Sequence, residues 1–204
     1  MAEHGSSVDA FTMAIKQNVL AAGPGTRAGV VAAANTLISG LAQYGYKLPY
    51  ISSTGAGGSA SGHYTGYGVL ADWGKNGAWY SGAYSRTYRH TGLDCSGFTA
   101  WAVHNGGFKY IEAYSGSQHN LGPAHYYGSY TGQPGDIVWE EGHVGLILGI
   151  SDDGKYVIAE EAGDPNGLVV NYYNMSHSSW SAIVDMTSYY SNPSNLDVSY
   201  YQGG

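Results

Sequence analysis

From residue 133 onward the chain is cut into short apolar runs by turn-forming residues, and this punctuation restricts the fold more than any other feature. Residues 137–139, 143–150, 155–162 and 168–172 read as four strands, rich in β-branched and aromatic side chains. Asp152-Asp153-Gly154 and Asp164-Pro165-Asn166-Gly167 supply turns between them, and residues 181–186 read as a fifth strand. The first part of the chain has a different period. Residues 8–22 have helical composition and stop at Gly23-Pro24-Gly25. Thr26 then caps a helix over 27–44, in which Val31, Ala34, Ile38 and Leu41 make one apolar face at three- and four-residue spacing. Helices first and an antiparallel meander second define an α+β class, with N-terminal helices packed on a sheet of about five strands.

At 204 residues the chain is expected to form one domain. Residues 1–25 read as a helical extension, 26–190 as the main unit and 191–204 as an irregular tail. A Gly/Ser/aromatic insertion at about 52–90, carrying Trp73 and Trp79, interrupts the main unit and is expected to form a wall or lid over a groove. Residues 109–132 read as a short helix and a long loop.

Fifteen acidic residues against eight basic ones give a net charge of −7, which argues against a nucleic-acid partner and against adhesion to anionic lipid. Only 11% of residues are charged, while glycine (32) and tyrosine (20) are abundant, so the surface is mostly neutral-polar and suits glycans or peptides. No window has the apolar length of a membrane span. The first residues, MAEHGSSVDAF, lack the basic start and apolar stretch of a signal peptide. That leaves a chain that is cytoplasmic, exported by another route, or part of something longer.

Cys95 is the sole cysteine, so it forms no intramolecular disulfide; it is either a small buried hydrophobe or kept for its reactivity. It opens a helical run that extends to about Val103. A thiol at a helix start meets the positive end of the dipole and unpaired N–H groups. A neighbouring imidazolium favours its thiolate further. His143 begins a strand that puts His143, Gly145 and Ile147 on one face, and Gly145 leaves room for a helix start or a substrate to approach. These are the two halves of a cysteine nucleophile with its base. The base needs an orienting group, and Glu160 and Glu161 offer one, pointing to opposite faces of the next strand. Asp94 and Ser96 flank the thiol, where either can cap the helix or contact a substrate amine. His119 and His125 lie in a loop, and without a CxxC or HExxH pattern neither a metal nor another cofactor is expected. Asp136 reads as a turn or strand-start residue.

Asp94-Cys95-Ser96-Gly97 opening a helix, Pro134-Gly135-Asp136 leading a strand and His143-Val144-Gly145 on the next strand are together specific, and on these residues the chain resembles the NlpC family of cell-wall cysteine peptidases. The resemblance implies a reduced papain-like fold, with Cys95 as nucleophile and His143 as base. The family's third polar residue sits in a His-Ala or Glu-Ala pair on the following strand, which favours Glu161, ahead of Ala162, over Glu160. Pro49-Tyr50 resembles the remnant of a Pro-Tyr-x-Trp-Gly-Gly segment, which would put Tyr50 beside the thiol; the Trp-Gly-Gly part is absent. Implied further are a monomer at the cell wall or outside the cell, and hydrolysis of peptidoglycan stem peptides at the D-γ-glutamyl–diamino acid bond. An amidase or transpeptidase with the same triad, or an inactive wall-binding module, are the alternatives.

Overall fold

The computed structural model describes residues 2–44, 48–51, 62–70, 73, 92–163 and 166–203. Helix α1 (Ala2–Ala22) and helix α2 (Arg27–Tyr44) pack against each other, and Phe11, Ile15 and Val19 carry the buried stripe of α1. Gly40 makes the contact close: a Cβ there would come within 2.5 Å of the Phe11 ring. Thr26 caps α2 as expected, its hydroxyl accepting from the Gly29 amide at 3.1 Å and donating to the Gly23 carbonyl at 2.6 Å. The N-terminal helix therefore shares the main core with the rest of the fold.

Helix α3 (Cys95–Asn105) is apolar on nearly every side and every one of its residues is buried. A helix with no polar face has to lie inside a domain, and α3 lies between α2 and the sheet. The sheet has six strands: β1 (Ala124–Tyr126), β2 (Ile137–Glu140), β3 (His143–Ile150), β4 (Lys155–Glu161), β5 (Leu168–Asn174) and β6 (Ala182–Val184). Their order is β1-β6-β2-β3-β4-β5, with every pairing antiparallel. Ile137, Val144, Leu146 and Ala159 face the helices. Val138, Ile147, Tyr156 and Ile158 face a second, smaller core with Trp180 and Ile183.

The α+β class stands, with six strands in place of about five. Strand β1 lies in what reads as loop, because three residues pairing with β6 have too short a pattern to register. The tail is not irregular either. It forms helix α5 (Thr187–Ser191), a 3-10 turn (Pro193–Asn195) and helix α6 (Ser199–Gln202). Two tyrosines of this stretch explain the difference, since Tyr190 and Tyr201 each bury the ring and find an acceptor for the hydroxyl. Tyr190 donates to the Gly135 carbonyl at 2.7 Å and Tyr201 to that of Asn105. Of the 52–90 insertion, residues 62–70 and 73 are described: Trp73 is buried edge-on to Tyr64 at 5.4 Å. Trp79 and the expected lid lie outside the described residues. Among the described residues no helix is long and apolar enough to cross a membrane.

Asp136 pins helix to sheet. It is fully buried, and Oδ1 accepts from Arg27 Nη1 at 2.7 Å and from the Met186 amide at 3.0 Å. Its Oδ2 accepts from the Gln133 amide at 2.8 Å, and Gly135 allows the turn with a φ of +92°. Removing this carboxylate orphans the buried Met186 amide, takes the acceptor from the Gln133 amide and strands Arg27. Asp136→Ala is expected to lower the unfolding free energy by on the order of 3 kcal/mol. Urea denaturation checks this; a loss under about 1 kcal/mol would class the pair with ordinary surface ion pairs.

Candidate active site

The thiol is placed by the way α3 begins. Asp94 is extended (φ −90°, ψ −177°) and its Oδ1 accepts from the Gly97 amide at 2.6 Å, closing the first turn. Gly97 is required there: a Cβ would come within 2.0 Å of the Gly62 carbonyl oxygen, which itself accepts from the Asp94 amide at 2.9 Å. Cys95 is thereby the first residue of a buried helix, 5% exposed.

The histidine arrives through a hairpin. Strands β2 and β3 are joined by Glu141-Gly142 alone, with Gly142 at φ +80°. The Gly142 carbonyl oxygen lies 3.9 Å from the Cys95 sulfur, so the first residue of β3, His143, stands beside the thiol and within its hydrogen-bonding reach. On its other side His143 Nε2 is 2.7 Å from Glu160 Oε2. An ionised carboxylate only accepts, so Nε2 carries a proton and Nδ1 is the nitrogen left for the thiol. Glu160 is held in turn by Asn171 Nδ2, which donates to Oε1 at 2.9 Å, and by the Tyr173 hydroxyl, which donates to the same oxygen. Trp180 lies flat on the imidazole, 5.1 Å between centroids and 13° between planes, and covers the pair from solvent.

Charge follows from this packing. Burial alone would pull the His143 pKa down, but the hydrogen bonds to Cys95 and Glu160 and the negative charge of both outweigh it and raise it to about 9. Burial pushes Glu160 up, yet the bonds from His143, Tyr173 and Asn171, with the imidazolium charge, win and leave it below its ordinary value. Imidazolium and carboxylate therefore coexist through the neutral range.

Glu161, the residue favoured on the resemblance, does not hold His143. Register decides this. Leu146 pairs with Ala159 and Ile147 with Ile158, which continues to Gly145 opposite Glu160. His143 shares the face of Gly145 and hence of Glu160, whereas Glu161 shares the helix-facing side with Ala159. Glu161 is fully buried near Asp94 and Cys95, and neither of its oxygens has a hydrogen-bond partner among the described residues.

The other expected residues are accounted for individually. Tyr50 forms a parallel bridge with Leu93, two residues before the thiol. Asp94 and Ser96 turn inward: Ser96 donates to Asp94 Oδ1 at 3.1 Å, and His63 Nε2 lies 2.9 Å from Asp94 Oδ2. His119 packs on Trp139 and His125 on Tyr130. Asn171, Tyr173 and Trp180 escaped sequence reasoning. The first two alternate on β5 facing Glu160, a period-2 signal that could have been used, but Trp180 lies in a loop with no period.

No family model and no curated protein matches the sequence. Solved structures similar to it include the P60 domain of the M. avium subspecies paratuberculosis antigen MAP1204, with 16% identity and a TM-score of 0.43 over 86% of this chain and 97% of that one. Another is the peptidoglycan hydrolase RipB from Mycobacterium tuberculosis, with 20% identity and a TM-score of 0.42 over 89% of this chain and 83% of that one.

The charge state can be read directly. A proton NMR titration of His143 should have its midpoint near 9, and Glu160→Gln, which removes a charge that supports the imidazolium, should move it down toward 6.5. A wild-type midpoint at or below 6.5 would mean that desolvation wins.

Proposed function

We propose that this chain is a cysteine hydrolase of the NlpC type, with Cys95 as nucleophile, His143 as general acid and base, and Glu160 as the residue that orients His143. The observation carrying this reading is the imidazole set between the Cys95 thiol and Glu160 at the start of a buried helix. The Cys95 sulfur attacks an amide carbonyl carbon while its proton resides on His143. Negative charge develops on the carbonyl oxygen near the amides that open α3. The tetrahedral intermediate collapses as His143 gives its proton to the leaving amine, and a thioester remains on Cys95. Water, deprotonated by His143, then releases the acid and restores the thiol. Glu160 fixes the tautomer and supports the imidazolium at both transfers.

The reading of the substrate as a peptidoglycan stem peptide, cut at the D-γ-glutamyl–diamino acid bond, is supported by the three motif blocks. The neutral-polar composition agrees with a glycan or peptide substrate. Residues 26–190 form the catalytic unit in this reading, working as a monomer at the cell wall or outside the cell. In this reading Tyr50, whose backbone bridges to Leu93 two residues before the thiol, contacts substrate. Asp94 and Ser96 serve first as the cap that aims Cys95.

Digestion of purified muropeptides, with mass spectrometry of the new amine and carboxyl ends, is the test. The wild type should release fragments cut after D-glutamate, and Cys95→Ala should release none. Glu160→Gln should lower kcat by about 10²–10⁴-fold, the loss found when an orienting carboxylate is neutralised. Cleavage at another bond would overturn the substrate; tight binding without cleavage by either form would make the chain a wall-binding module.

A further inference from the structure

The reaction above leaves one buried carboxyl idle. Glu161 has no exposed surface, and neither oxygen has a hydrogen-bond partner among the described residues. It ends β4 on the side facing α3, with Leu168 opposite it on β5. Among the described residues, the ionisable groups that act on it are the Asp94 carboxyl and the Cys95 thiol at the head of α3. Beyond Asp94 lie Tyr110, buried and raised to about 12 by burial and by Asp94, and His63, bonded to Asp94 Oδ2. His143 and Glu160 belong to the other face of the sheet. Among the described residues, Glu161 thus has no hydrogen-bond partner and two neighbours that are negative whenever they are charged. Burial first, then Asp94, then Cys95, all act to keep its proton on.

We propose that Glu161 is a positioning residue held as the neutral acid, coupled to Cys95 so that the two share a single negative charge. This inference rests on the reading of Cys95 as a nucleophile that works as a thiolate. While the sulfur is anionic, Glu161 stays protonated. When the sulfur becomes neutral, as a thioester or after alkylation, the repulsion disappears and Glu161 becomes easier to ionise. No proton passes between the two groups; each alters only the other's equilibrium with solvent, and the coupling is reciprocal. A carboxylate at this position would oppose the thiolate that catalysis needs, so the protonated form makes a glutamate tolerable beneath the nucleophile.

Two measurements test this without substrate. The first is the rate of Cys95 alkylation by iodoacetamide across the mildly acidic and neutral range, for the wild type and for Glu161→Gln, a neutral isostere. Because Glu161 is already neutral, the two profiles should agree within about threefold, against the tenfold that one unit of pKa represents. A Glu161→Gln rate about tenfold higher would mean that a real negative charge had been removed, and would overturn the proposal. The second uses the wild-type chain alone, so it survives if the variant fails to fold. Infrared spectra at neutral pH should contain a protonated carboxylic carbonyl band, and alkylation of Cys95 should shift its titration to lower pH. Absence of the band, or a titration indifferent to alkylation, would overturn the proposal, because a merely structural glutamate would not respond to the state of the sulfur. If muropeptides are not cleaved while these readouts behave as expected, the substrate reading fails and the coupling stands; the reverse pattern rejects the coupling alone.

Discussion

The head of helix α3 is the constraint on which the site depends. A helix buried on every side cannot leave its first amides to water, and each unpaired buried amide costs on the order of 1–3 kcal/mol. Asp94 supplies the cap, Gly97 lets the Gly62 backbone close over it, and Ser96 and His63 bond to the Asp94 carboxyl as well. Once that cap is built, the next residue in the chain has its position fixed at the positive end of the dipole. That residue is Cys95. The reactive atom is aimed by the same contacts that let the helix lie inside the fold, so stability and chemistry cannot be tuned separately here.

A sheet with two different faces then divides the carboxyls. Adjacent residues on β4 point to opposite sides, so Glu160 joins His143, Asn171, Tyr173 and Trp180 on one side while Glu161 joins Asp94 and Cys95 on the other. On the first side every polar atom of the carboxyl is paired and a cation faces it. On the second, neither oxygen of Glu161 has a hydrogen-bond partner among the described residues. Two glutamates one residue apart therefore take opposite charge states, and the pleat alone separates them.

Much of this was legible in the sequence, for identifiable reasons. The helix over 27–44 and the four central strands carry periods long enough to read, and Thr26, Gly154 and Gly167 are cap or turn residues whose roles follow from their chemistry. Cys95 and His143 could be paired because a thiol at a helix start and a histidine at a strand start are each informative alone. The choice between Glu160 and Glu161 was not readable in the same way. Side-chain alternation says that one of them faces His143, but which one depends on the pairing of Leu146 with Ala159, a long-range register that no local pattern encodes. The His-Ala or Glu-Ala pair of the resembling family matches Glu161-Ala162 in sequence, whereas the register puts Glu160 on the face of His143. Strand β1 and the tail helices failed for a related reason: each is only three to five residues long and exists through contacts with distant residues such as Asn105, Gly135 and Ile183.

The charge balance of the site can be closed from these placements. Among the described residues, Arg27 pairs with Asp136, Lys155 with Asp153, and Lys16 lies over the Tyr200 ring. What the site has is a helix terminus and the imidazole rings of His143 and His63. The helix terminus and His63 serve Asp94, and His143, protonated through the neutral range, serves Glu160 on one nitrogen and the sulfur on the other. Among the described residues, none of these groups hydrogen-bonds to Glu161. In a region this dry an unsupported carboxylate takes up a proton in preference to paying its desolvation. The same assignment that lets Cys95 carry a negative charge beside His143 therefore obliges Glu161 to give up its own.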